Sequence, residues 1–238
     1  AQHEYVLHIT PRSVTHLERG TVQSILRIGI PSACENSLFQ LGRVLVVSMI
    51  SLFGTVHISA NAVANNLDAV GAIIGQAMGL AIITVVGRCV GAQDMQQVVY
   101  YTKKLMLWDY IAQGIANAAV ILSLGVVLNM YTLSPETRSL AAELVIIHCA
   151  MGILIWPAAF VLPNALRAAN DVKFTMVASV VSMAIWRLGF SYLLCVRMGW
   201  GAVGVWIAMV IDWVCRSICF VGRFVSGVWK KKAVKMPN

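Results

Sequence analysis

The residues with the most chemistry to offer lie where they are least expected. Glu35 sits in the run GIPSACENSLFQLG, residues 29–42, inside a long apolar stretch that also holds Pro31, Asn36, Gln40 and Arg43. If residues 22–52 form one membrane-spanning helix, that helix is roughly 46 Å long and Glu35 lies near mid-depth. A carboxylate there costs at least ~2.5 kcal/mol, so it must face protein or a water-filled cavity rather than lipid. Reversible binding of a proton or a small cation is the chemistry open to it. The alternative is plain neutralisation by Arg43 or by another helix. Pro31 removes a backbone donor one turn before Glu35 and permits a kink.

Four further groups share the pattern. Asn61, Asn65 and Asp68 are four and three residues apart, hence on one helix face that continues into Ala72, Gly75 and Gly79. They either line a cavity, with Asp68 as a second coupling acid, or hydrogen-bond neighbouring helices. Gly71, Gly75 and Gly79 repeat every four residues, the spacing that lets helices approach closely. Asp109, Gln113 and Asn117 form another inward stripe, with Asp109 expected near the membrane surface in a structural or solvated role. His148, alone in an apolar helix, reads as a hydrogen-bonded packing residue before a proton relay. Asp212 and Arg216 are spaced for an intrahelical ion pair.

Composition says what must position these groups. Of 238 residues, 59% are apolar and 12% charged, whereas a soluble domain carries about 25% charged residues. The apolar residues fall in long runs. We read six spans, over residues 22–52, 57–86, 105–130, 140–166, 174–196 and 202–225, with Pro157 and Pro163 bending or unwinding the fourth. The fold class expected is therefore all-α and polytopic. Around it we expect a cytoplasmic lead-in over residues 1–21, a six-helix lobe over 22–226 and a basic tail over 227–238. Of the 18 Lys and Arg, thirteen fall on the side of the amino end, two on the other side and three within spans. The positive-inside rule then puts both ends in the cytoplasm, and the net charge of +8 needs no nucleic acid to explain it. No cleavable signal peptide opens the chain, and the missing initial Met suggests a piece of a longer protein.

Six cysteines include no CxxC pair and read as small buried hydrophobes, giving no disulfide and no metal site. No HExxH, GxSxG or pair of acids at catalytic spacing is present, so neither an enzyme nor a cofactor is expected.

The first span, the Asn-rich second span with its GxxxG, the loop GRCVGAQD at 87–94, the stretch LPNALRAANDVKF at 162–174 and the segment GVWIAMVIDWVCRSICFVGRF at 204–224 together resemble the carboxy-terminal lobe of a MATE (multidrug and toxic compound extrusion) transporter. The resemblance implies twelve spans in two lobes, of which the first is missing here, and residues 1–21 as the connector between lobes. It implies export of drugs or metabolites across the plasma membrane in exchange for protons or sodium. Glu35 matches the cation-binding carboxylate of the lobe's first helix. Asn36, Gln40, Asn61 and Asn65 would line the substrate cavity, and Glu35 and Asp68 would couple. Trp156 stands where sodium-coupled members carry a second acid, which favours protons. The implied partners are membrane lipid, a small and often cationic organic substrate, and the other lobe or a second copy. A lipid or lipid-linked sugar flippase is the alternative and needs a more basic cavity, to which Arg43 and Arg187 would contribute. A non-transporting membrane module is the expectation if the chain is complete.

Overall fold

A computed structural model describes the backbone of residues 19–233 and the side chains there, except those of residues 21, 24, 27, 28, 31, 32 and 70. The expected connector before residue 19 and the tail beyond residue 233 lie outside it. Everything described is helix or short turn. In order come α1 (Arg19–Ser51), α2 (Thr55–Gly91), α3 (Met95–Met130), α4 (Pro135–Trp156), a π-helical turn (Pro157–Val161), α5 (Leu162–Ala168) and α6 (Val172–Ser182). Two more π-helical stretches (Met183–Gly189 and Tyr192–Arg197) lead to α7 (Gly201–Val225) and a last turn, α8 (Lys230–Ala233).

Local chemistry sets the breaks. The turn between α1 and α2 rests on Gly54, whose φ of 86° suits a residue without a Cβ. Asp94 caps α3, its carboxylate accepting from the backbone N–H groups of Gln96 at 3.1 Å and Gln97 at 3.0 Å. That cap starts α3 ten residues before the expected membrane entry at 105, so the helix begins well outside the apolar run. Ser134 caps α4 through the N–H of Thr137, with Pro135 in the first turn where its missing donor costs nothing. The helix then widens at Pro157, where a proline was expected to disturb it, and Pro163 lies at the start of the short helix that follows. Pro31 is among the positions whose side chains are not described, so its kink lies outside the structure, and α1 is assigned as helix without interruption.

The fifth span is irregular. No proline accounts for its two π-helical stretches. They occur where α7 comes closest: a Cβ on Gly204 would lie 2.8 Å from the carbonyl carbon of Leu194. Five stretches are long and apolar enough to cross a membrane: residues 71–91 of α2, α3, the run from Pro135 to Ala168, the run from Val172 to Arg197, and α7. The sixth long helix, α1, is about 50 Å from end to end and is not among the five found in the described residues. It packs on α6, the following π-helical stretch, α2 and α7 as part of the same bundle.

Two apolar cores hold the bundle, one at each end. Ile50, Ala64, Leu128, Leu144 and Trp206 belong to the first, and Ile82, Val90, Leu166, Phe220 and Trp229 to the second. Between them the helices α2, α3 and α7 contribute Asp68, Gln113 and Arg216, so a polar layer separates the cores. At the end holding Trp229, the loop before α6 is tied to the carboxy-terminal segment. Asp171 is fully buried and pairs with Arg223 at 2.7 Å and Lys232 at 2.5 Å. Burial opposes the charge on Asp171, but the hydrogen bonds and charges of Arg223 and Lys232 outweigh it and hold its carboxyl below the ordinary value. The stabilisation is thus complete above the ordinary carboxylate pKa and disappears as pH falls through the depressed one. Asp171→Asn is expected to lower stability by about 2–3 kcal/mol, below the ~3–5 of a fully enclosed pair, since Lys232 reaches water. Thermal unfolding in neutral detergent checks this. The gap between variant and parent should close under acid conditions.

Candidate functional site

In the polar layer lies a cavity of about 390 Å³. Helix α1 contributes Asn36, Gln40 and Arg43, helix α2 contributes Asn65 and Asp68, and Arg167 and Arg187 enter from α5 and the stretch after α6. Its apolar walls are aromatic: Phe39, Trp156, Phe160 and Trp213. Spacing on α2 explains the placement of Asn65 and Asp68, since residues three apart share a face. Asn65 also donates from Nδ2 to the carbonyl of Asn61 at 2.7 Å.

Among the described residues Asp68 is the one carboxylate on this wall, with its side chain 29% exposed, and its Oδ1 lies 2.6 Å from Nε2 of His148. The sequence reading gave His148 no partner, and Asp68 is that partner. The imidazole stands edge-on to Trp213 and Trp206, with centroids 5.0 and 5.5 Å away, and its Nδ1 is buried without a hydrogen bond. Of the two, Asp68 lines the cavity and His148 does not, so the carboxylate side of the pair is the one that opens to it.

Glu35 is placed differently from the expectation. It lines an adjoining pocket of about 190 Å³ rather than the main cavity, and its partner at 2.6 Å is Arg167, on another helix as the alternative reading allowed, and not Arg43. Arg167 also donates to Oδ1 of Asn164 at 2.8 Å. Read as part of a cytoplasmic loop, Arg167 instead belongs to α5, because the helix restarts after the π-helical turn and carries it inward. It lines both pockets. Asn61 was assigned to the cavity and is not on its wall. It is buried and accepts from Nε1 of Trp206 at 3.0 Å, a bond between α2 and α7 inside the first core.

Of the structural and solvated roles open to Asp109, the solvated one does not hold. It is fully buried, and neither carboxylate oxygen has a hydrogen-bond partner among the described residues. Further along the same stripe, Asn117 donates to the backbone and side-chain oxygens of Gln113 at 2.9 and 3.2 Å. This stripe faces the glycines of α2. A Cβ on Gly71 would lie 3.3 Å from Oδ1 of Asn117, and one on Gly75 would overlap the Trp156 ring and come within 2.5 Å of Nε2 of Gln113. Gly75→Ala is expected to cost about 1–3 kcal/mol through overpacking and to push Trp156 into the cavity. A lowered melting temperature with the helix content unchanged is the readout.

Comparison with known proteins places this geometry. The MatE family model matches residues 31–193. A protein of Bacillus subtilis described as "Uncharacterized transporter YisQ" is 27% identical over 236 residues, covering 96% of this chain and 50% of that protein. A "Probable multidrug resistance protein NorM" of Thermotoga maritima is 23% identical, with 89% and 46% covered. Among solved structures, an outward-facing MATE multidrug resistance transporter superposes with a TM-score of 0.83 at 18% identity, over 96% of this chain and 51% of that one. A transporter from Pyrococcus furiosus, described as having a binding pocket of reverse polarity, superposes with a TM-score of 0.78 at 16% identity. The chain spans about half the length of the curated relatives it matches. Its apolar helices and these relatives make it a half-length lobe of multi-pass membrane architecture, and the chain belongs to the MatE family.

Proposed function

We propose that the chain is the carboxy-terminal lobe of a two-lobe exporter that moves a small organic compound out of the cell in exchange for protons, with both ends of the chain cytoplasmic. The observation that supports this best is the Asp68–His148 pair at the cavity wall. In this reading the pair takes the coupling proton and gives it up as the cavity changes its exposure. Asp68 has an imidazole beside it rather than a second carboxylate, which suits a proton better than sodium. Glu35 acts as a releasable latch: when its carboxylate is protonated the ion pair with Arg167 is lost and α1 can swing away from α5. The half-length match to the relatives supports a missing lobe or a second copy as partner, since one lobe alone cannot give a central cavity access to both sides.

The test uses everted membrane vesicles acidified inside, holding this chain with the segment that precedes it in its reading frame. Accumulation of a fluorescent organic dye should follow the pH gradient and stop when the gradient is collapsed. Glu35→Gln should keep substrate binding while slowing gradient-driven accumulation. If Glu35→Gln and Asp68→Asn both accumulate dye at the parent rate, the coupling assignment fails.

A further inference from the structure

The charges around the cavity are the reverse of what an often cationic substrate would want. Four ionisable side chains line it, and three are guanidiniums: Arg43, Arg167 and Arg187, against Asp68 alone. Existing pairs sharpen the imbalance. Asp68 already has His148 as its hydrogen-bond partner, and Arg167 is paired with Glu35. Arg216, beneath the adjoining pocket, is neutralised by Asp212 at 2.9 Å. That leaves Arg43 and Arg187 with no carboxylate partner among the described residues. Arg187 lies over the Phe39 ring at 5.5 Å, and its Nε is buried without a hydrogen bond. A guanidinium so placed carries a planar fork of donors that fits a carboxylate, sulfonate or phosphate through two parallel bonds. A buried donor left unpaired is costly, and an anion in the cavity relieves that cost. The aromatic walls add a flat apolar surface for the rest of the ligand.

From this balance we infer that the cavity binds an amphipathic organic anion, an aromatic or acyl body bearing a carboxylate, sulfonate or phosphate, with Arg187 as the principal anchor and Arg43 as its second contact. The inference rests on the reading of this cavity as the site of the transported compound, and it replaces the cationic substrate that the family resemblance implies.

Two probes of matched shape and opposite charge test it on the purified 238-residue chain in neutral detergent. Equilibrium dialysis with naphthalene-2-sulfonate and with naphthalen-2-yl-trimethylammonium should show the anion binding at least about ten-fold tighter. Arg187→Gln should weaken the anion by roughly ten- to a hundred-fold, with Arg187→Lys intermediate because the charge remains and the fork does not. Arg43→Gln, on an exposed stretch of α1, should weaken it by a smaller factor without threatening the fold. Arg138→Gln, an exposed arginine at the start of α4, should leave binding unchanged. Competition by lysophosphatidylglycerol at similar potency would identify a lipid headgroup as the anion's source, and failure to compete would identify a free compound. Tighter binding of the cation, no binding of either probe, or anion binding untouched by both Arg187→Gln and Arg43→Gln would overturn the inference. Gradient-driven accumulation reads the role of Asp68 whatever the charge of the substrate, so the two readings fail separately.

Discussion

Asp68→Asn is expected to reduce gradient-driven transport on the order of 10²-fold, the scale lost when a positioned proton-transfer group is removed. The reason lies in one contact. Asp68 meets His148 at 2.6 Å, two indoles stand edge-on to the imidazole, and its Nδ1 is buried with no hydrogen-bond partner among the described residues. Of the pair, only Asp68 lines the cavity, so the proposed exchange of a proton runs through its carboxylate. Asparagine preserves shape and hydrogen bonding but cannot take up the charge. His148→Gln should act in the same direction. Exchange of labelled substrate across the membrane without a gradient separates coupling from damage: both variants should retain it while losing accumulation. A protein that loses both has lost its fold or its cavity, and that result would count against a role for the pair in coupling.

The second large effect is structural. Asp212 and Arg216 are both nearly inaccessible, and their pair is the centre of a network. Ser182 donates to Oδ1 of Asp212 at 2.6 Å, Arg216 donates to the carbonyl of Ser179 at 2.9 Å, and its guanidinium lies 4.8 Å from Phe39 and 5.6 Å from Phe160. Four parts of the bundle thus meet on one arginine: α1, the π-helical turn after α4, α6 and α7. Asp212→Ala strands a buried cation and is expected to cost about 3–5 kcal/mol. By the same reasoning, Asp212→Ala combined with Arg216→Met should recover most of that loss, because an apolar pair of similar volume needs no neutralisation. Melting in detergent, followed by circular dichroism, gives the comparison. Equal stabilities for Asp212→Ala and the parent would show that the network contributes nothing.

Much of the architecture was legible because it depends on local chemistry. Apolar runs mark the membrane crossings, Ser134-Pro135 starts a helix, and Pro157 cannot complete the hydrogen bond of a regular turn. The inward stripe of Asp109, Gln113 and Asn117 followed from spacing alone. Enclosure did not follow. Spacing puts Asp109 on the inward stripe, but only the packing around α3 shows that its carboxylate is fully buried. Partners were equally hidden. Asn61 and Asp68 lie on the same helix, yet one meets Trp206 inside a core and the other meets His148 beside a cavity. Spacing shows which residues share a face and is silent about what the face meets. Arg167 shows the same limit, since its role depends on α5 restarting after a widened turn and carrying it to Glu35.

The central claim is that Asp68 and His148 hold and release a proton together at the cavity wall. In acid-loaded everted vesicles the internal pH should rise when dye is added to the parent and should stay unchanged in His148→Gln and in Asp68→Asn. An equal rise in the parent and in His148→Gln would contradict the account.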